Sequence, residues 1–257
     1  MSQTDRLPRE TLRDWVNDIR QDVKFRYVPF RGYYRVRAYK YMWRKNPEMG
    51  LLRFLVDPDK DSIDVGANLG LFTFFLARYS RHVHAFEPNP YPLRTLRSVI
   101  DANVTLRQMA VGDVTGEVEL MIPKGRKGWS SNGASLAKQM SGPAVGVKVP
   151  CTRIDDLGLS NIGFIKVDVE GHEKAVLLGA QNTIARDRPR LFIENEHSHI
   201  GDKSADVFEL LKDMDYEGFA LIDGLLTGLR NFSVEEHQLK HATDAPDYVK
   251  NFIFLPR

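Results

Sequence analysis

From about residue 61 onward the chain alternates short apolar or β-branched runs with stretches whose apolar residues recur at helical spacing. Ser62 to Val65 predicts a strand ended by Gly66, and Leu71 to Tyr79 a buried helix. His82 to Phe86 predicts a second strand, closed by Glu87-Pro88-Asn89-Pro90. A helix from roughly Pro92 to Ala102 places Leu93, Leu96, Val99 and Ile100 on one face, and Val104 to Val111 follows as a third strand. The rhythm then breaks. Glu117 to Ile122 and Val145 to Cys151 both look like strands. Between them Lys124 to Gly133 is rich in glycine, charge and small polar residues, the composition of a lid carried on a rigid scaffold. Alternation resumes with strand Phe164–Val169, helix Glu173–Ile184, strand Arg190–Ile193 and helix Ala205–Met214. Gly218–Ile222 and Asn251–Leu255 complete the sheet. Parallel strands joined by crossover helices give an α/β, doubly wound, mostly parallel sheet of about seven strands. Residues 1–56 are expected to form a helical extension, and 57–257 the sheet domain with a lid insertion around 113–150.

Composition narrows the function classes. With 257 residues, 42% of them hydrophobic, the chain can bury a sizeable core. Its single cysteine, Cys151, excludes an internal disulfide and any multi-cysteine metal site. The longest apolar stretch, near Leu69 to Ala77, is far short of the ~20 residues of a membrane span, so a cytoplasmic protein is expected. The net charge of +2 hides an asymmetry: Arg20 to Arg53 holds ten Lys/Arg against Asp22 and Glu48, a local +8, leaving −6 elsewhere. Eight aromatics share that segment, Trp43 among them. Such an arm suits an anionic or ring-containing partner, or equally two packed helices with solvated arginines.

Two segments carry chemistry. In Asp64-Val65-Gly66-Ala67-Asn68-Leu69-Gly70 a strand enters a glycine-rich turn and then a helix, which lets a small ligand approach backbone amides. Asn68 stands where a dinucleotide fingerprint has its middle glycine, and Asp64 adds a carboxylate that would repel a pyrophosphate. Both favour S-adenosylmethionine over NAD. Glu87 ends the next strand, where an acid accepts hydrogen bonds from ribose hydroxyls. Ala110-Val111-Gly112-Asp113 lies where a purine would sit. In Lys166-Val167-Asp168-Val169-Glu170-Gly171-His172-Glu173, strand periodicity puts Lys166, Asp168 and Glu170 on one side. Charges on a central strand call for a partner or a ligand. Asp168 and Glu170 are read as functional, whereas a structural ion pair suits Lys166 as well.

These motifs, with Thr73, Ala85-Phe86-Glu87-Pro88-Asn89-Pro90 and Thr152-Arg153-Ile154-Asp155-Asp156-Leu157, resemble the FkbM-type methyltransferases over roughly Asp61 to Glu196. The resemblance implies a Rossmann-like class I fold and S-adenosylmethionine-dependent methylation of a hydroxyl on a sugar, glycan or related natural product. It implies that Asp64, Gly66, Asn68 and Gly70 hold the methionyl end, with Ala67, Thr73, Pro88 and Asn89 also among the cofactor-binding residues. Glu87 would hold the ribose, Val111 would lie near the adenine, and Asp168 near the amino group or the acceptor.

An unactivated hydroxyl needs a base. His172, near neutrality and next to the strand end, is the first choice, with Glu170 orienting it or acting in its place. No metal site is assigned, although Asp168, Glu194 and Asn195 could together hold Mg²⁺. His197-x-His199 is too short a pattern for zinc. An RNA ribose or a polyketide hydroxyl is an alternative acceptor, and an NAD-dependent oxidoreductase the alternative enzyme. No stable nucleic-acid complex is expected, because no signature for base amino groups occurs. Trp129, Ser130, Ser131 and Asn132 on the lid could face a sugar. The basic arm becomes an acceptor-side wall, through Arg35 and Arg37, or a homodimer contact.

Overall fold

A computed structural model of the chain describes residues 30–125, 128–130, 133–136, 142–197, 204–243, 245 and 247–257. Two sheets organise them. The main sheet has eight strands: β1 (Asp61–Val65), β2 (His82–Phe86), β3 (Val104–Arg107), β8 (Ile162–Val167), β9 (Arg190–Glu194), β10 (Tyr216–Ile222), β11 (Leu225–Gly228) and β12 (Asn251–Pro256). Their order is β3-β2-β1-β8-β9-β12-β10-β11, parallel from β3 to β9 and antiparallel from β12 to β11. The four-stranded second sheet, β4 (Ala110–Val111), β7 (Ala144–Thr152), β5 (Gly116–Gly125) and β6 (Gly128–Trp129), is inserted between β3 and β8.

The helices α1 (Phe30–Lys45), α2 (Leu52–Leu55), α3 (Leu71–Tyr79), α4 (Pro90–Val99), α5 (Glu173–Leu178), α6 (Gln181–Asp187) and α7 (Ser204–Asp213) cover both faces of the main sheet. Strand alternation divides the core accordingly. Ile63, Val65, Ile165, Val167 and Ile193 pack with Val176, Leu177 and Ile184 of α5 and α6. Phe164, Phe192 and Ile253, on the opposite face, pack with Phe72, Phe75 and Leu76 of α3. Tyr34 and Ala38 of α1 join this second cluster, so the N-terminal helix shares its core with the sheet.

Three expectations need correction. The main sheet has one strand more than the seven expected: β11 returns along β10 through Asp223-Gly224, both at positive φ, the two-residue turn that suits a hairpin. The predicted third strand divides after Arg107, because Ala110 and Val111 leave β2 and pair with Cys151 and Thr152 of β7. The helix expected from Glu173 to Ile184 is two, divided at Gly179 and Ala180. Gly179 sits against Gly112, where a Cβ would meet the Gly112 carbonyl at 1.9 Å. Packing against the second sheet therefore fixes the break. The side chain of Trp129, together with Ser131, Asn132, residues 198–199 and the arm before Phe30, lies outside the described residues.

Candidate active site

The C-terminal ends of β1, β2 and β8 meet beside an open cleft. One wall is the glycine loop with Gly66 and Asn68, another is Asp168 and Glu170, and Glu87 and Pro88 close a third side. Met109, Val111, Leu120 and Leu136 supply an apolar wall, partly from the second sheet.

Beneath the loop is a buried charge network set by strand register. Asp64 of β1 pairs with Lys166 of β8, so both side chains leave the sheet on the α3 face. Lys166 Nζ lies 3.3 Å from Asp64 Oδ1 and 3.4 Å from Asp168 Oδ2, and it donates to the Gly66 carbonyl at 2.7 Å. Thr73 Oγ1 donates to Asp64 Oδ2 at 2.6 Å. Asp64 is 0% exposed and does not line the cleft; it and Thr73 brace the loop from below. The loop also approaches β8 closely: a Cβ on Gly66, at φ +77°, would meet the Asp168 carbonyl at 1.9 Å. Ala67 is buried in a small apolar cluster with Ala85 and Leu96, and Gly70 is the residue before α3. Neither lines the cleft.

Glu87 is held by the backbone. Its Oε2 accepts from Asn68 N–H at 2.6 Å and its Oε1 from Asn89 N–H at 2.8 Å. Burial pushes its pKa up to about 7 despite these bonds. Asn89 caps α4, accepting from Tyr91 N–H at 3.0 Å, and its amide donates to the Ser130 carbonyl at 3.1 Å. It thus ties β2 to the segment over the cleft.

Asp168 follows the last residue of β8, with its side chain 29% exposed. It is hydrogen-bonded to Glu194 at the end of β9; burial first, and then the charge of Glu194, push its pKa up to about 8. Two carboxyl groups in a hydrogen bond hold one proton between them. Glu194 in turn contacts the ammonium of Lys250, which also lies 3.7 Å from Glu196. Tyr248 donates to Glu196 at 3.1 Å. Tyr41 of α1 is close enough for Lys250, Glu194 and Asp168 to act on its hydroxyl. Asn195 is buried, and its carbonyl accepts from Gln238 at 2.9 Å. Among the described residues no group of three His, Cys, Asp or Glu side chains is arranged to hold a metal ion.

Glu170 and His172 diverge after the strand. Glu170 adopts φ +54°, an uncommon left-handed conformation. Its Oε1 accepts from Gly133 N–H at 3.2 Å, and its carbonyl from Ser135 Oγ at 2.8 Å. Glu170 lines the cleft, but the His172 ring does not. It fills the space beside Gly112, where a Cβ would fall 2.8 Å from Nε2, and burial lowers its pKa against the pull of Asp113. Lys250 escaped the sequence reading. Its signal is a lone cation directly before the final apolar strand, and antiparallel register sets that strand's first residue, Asn251, against Glu194.

Among known proteins, a family model described as the methyltransferase FkbM domain matches residues 64–217. The hexuronic acid methyltransferase AglP of Haloferax volcanii is 26% identical over 190 residues, covering 67% of this chain and 76% of the relative. The 31-O-demethyl-FK506 methyltransferase FkbM of Streptomyces tacrolimicus is 28% identical over 199 residues, covering 64% and 75%. The crystal structure of methyltransferase FkbM from Methylobacillus flagellatus KT superposes with a TM-score of 0.51 at 21% identity. That likeness, which bears on the fold, takes in 80% of this chain and 45% of the other, so the chain spans under half of that protein. No described helix is long and apolar enough to cross a membrane. With the family model matched over more than half of its length, across the strands that build the cleft, the chain belongs to the FkbM family of methyltransferases.

Proposed function

We propose that the cleft binds S-adenosylmethionine and that Asp168 receives the proton of an acceptor hydroxyl as its oxygen takes the methyl group. The observation that carries this reading is the partly exposed Asp168 carboxyl, hydrogen-bonded to Glu194 and one strand from the glycine loop. The residues fit the cofactor. Glu87, oriented by two backbone N–H groups, retains lone pairs for ribose hydroxyls. The apolar wall around Val111 suits a planar base, and the close loop at Gly66 would admit the methionyl end. Bound there, S-adenosylmethionine supplies an electrophilic methyl group. The chain supplies alignment, worth up to about 7–11 kcal/mol in well-oriented systems, and a proton acceptor. The relatives named for hexuronic acid and 31-O-demethyl-FK506 support a hydroxylated acceptor, with sugar hydroxyls as the class to test first.

Asp168 works as a base only when ionised. Because its pKa is pushed up to about 8, kcat/KM should rise with pH and level off above that value. Replacing Glu194 by Gln removes the neighbouring negative charge, so the inflection should move to lower pH. A pH–rate profile checks this, and an unmoved inflection would remove Glu194 from the account.

His172 stood first as base on sequence grounds, but its ring packs beside Gly112 outside the cleft lining. His172→Ala should therefore leave S-adenosylhomocysteine affinity intact and change turnover by less than about tenfold, well short of the 10²–10⁴-fold contribution of a base. A loss of 10² or more would give the role back to histidine.

A further inference from the structure

Among the described residues, the outward face of α1 is used by neither the core nor the cleft. Tyr34 and Ala38 are buried and Tyr41 and Met42 half-buried, which fixes how the helix is rolled against the sheet. On the opposite side, positions 36, 40 and 43 share a stripe at helical spacing. Val36 is 69% exposed and Trp43 78%, with exposed Lys40 between them. Arg37 and Arg44 flank the stripe on one side and Arg35 on the other, all exposed, and the helix contains no acidic residue. On α2, Phe54 is 66% exposed, with the Arg53 guanidinium 4.5 Å over its ring.

We infer that this face of α1 docks the protein on an anionic lipid bilayer. A helix lying in a membrane interface sinks its apolar residues to the headgroup boundary while lysine and arginine stems extend their charges outward. Trp43 suits that depth, since indole combines a large apolar surface with a polar N–H. The cations complement acidic headgroups. The helix carries these cations with no acidic residue, which draws this face toward a negatively charged surface. A nucleic-acid strand would use the cations but gains nothing from Val36 in the middle of the face, so the lipid surface accounts for more of what is there. The inner side of the same helix reaches the site: the Tyr34 hydroxyl donates to the Leu69 carbonyl in the glycine loop at 2.7 Å. Docking through α1 would place the helix that contacts the glycine loop at a bilayer surface. The inference extends the methyl-transfer reading but does not depend on it, because its test measures binding and not turnover.

The test is co-sedimentation of the full chain with vesicles of phosphatidylcholine alone and of phosphatidylcholine mixed with phosphatidylglycerol, at low and high salt. Binding is expected to the mixed vesicles only, with a blue shift of tryptophan emission, and to weaken with salt. At about fivefold per cation, Lys40→Glu with Arg44→Glu should weaken binding by at least about 25-fold. Trp43→Ser should weaken it at least several-fold while S-adenosylhomocysteine affinity and circular dichroism stay unchanged. Failure to bind mixed vesicles overturns the proposal, as does binding that Trp43→Ser leaves intact. Retention on single-stranded RNA by a chain that ignores vesicles overturns it in favour of a nucleic-acid surface.

Discussion

Replacing Lys166 with methionine is expected to destabilise the protein by about 3–5 kcal/mol, the cost of removing one member of a buried ion pair. The ammonium is 2% exposed and lies between Asp64 and Asp168 while donating to the loop carbonyl of Gly66. Burial works against its charge, yet Asp168, Asp64 and Glu194 more than offset this and raise its pKa above the ordinary lysine value. The ammonium is therefore charged throughout the range below the unfolded lysine pKa, and the deficit of the variant should grow as pH rises through about 8, where Asp168 ionises beside it. Methionine keeps the length of the side chain but leaves Asp64 uncompensated at 0% exposure. At about 2–4 °C per kcal/mol for a chain of this size, the melting midpoint should fall by on the order of 10 °C. Calorimetry checks the fall, and adding Asp64→Asn should restore part of it. A midpoint lowered by less than about 2 °C would mean that the network is not what holds the loop to β8.

Asp168→Asn should leave the protein folded and lower kcat by about 10²–10⁴-fold, the contribution of a well-placed base. Asparagine conserves size and can still donate to Glu194, but it cannot take the acceptor's proton. Lys166 retains Asp64, so the loop should keep its shape. Single-turnover kinetics with saturating S-adenosylmethionine separate the two roles proposed for this residue. A slow chemical step with unchanged cofactor affinity supports the base. Weakened affinity with a nearly normal step would place Asp168 on the cofactor's amino group.

Much of this arrangement is legible in the sequence where local pattern governs it. The apolar period locates β1, α3, β2 and β8, and Gly66 and Asn68 mark the loop. Legibility ends where a side chain's direction depends on distant pairing. Asp64 looks ligand-facing from its place at the strand tip, yet its register with Lys166 turns it into the interior. Alternation puts Asp168 on the side of buried Lys166, and its place just past the end of β8 lets it reach the cleft. The alternation lapses at Glu170, where the backbone turns left-handed and the carboxylate meets Gly133. Lys250 contacts Glu194, 56 residues earlier, through antiparallel β12, a pairing no local pattern announces. The Asp223-Gly224 hairpin went unread, although a turn dipeptide between two apolar runs signals it.

Among the described residues, bonds from Asn89 to the Ser130 carbonyl and from Glu170 to Gly133 and Ser135 tie the segment above the cleft to the main sheet. Each contributes about 0.5–1.5 kcal/mol net, whereas the bridge from Ser135 to Met121 stays within the second sheet. Through these bonds the rim of the cleft is shared between the two sheets, so a change at Asn89 or Glu170 is felt on both.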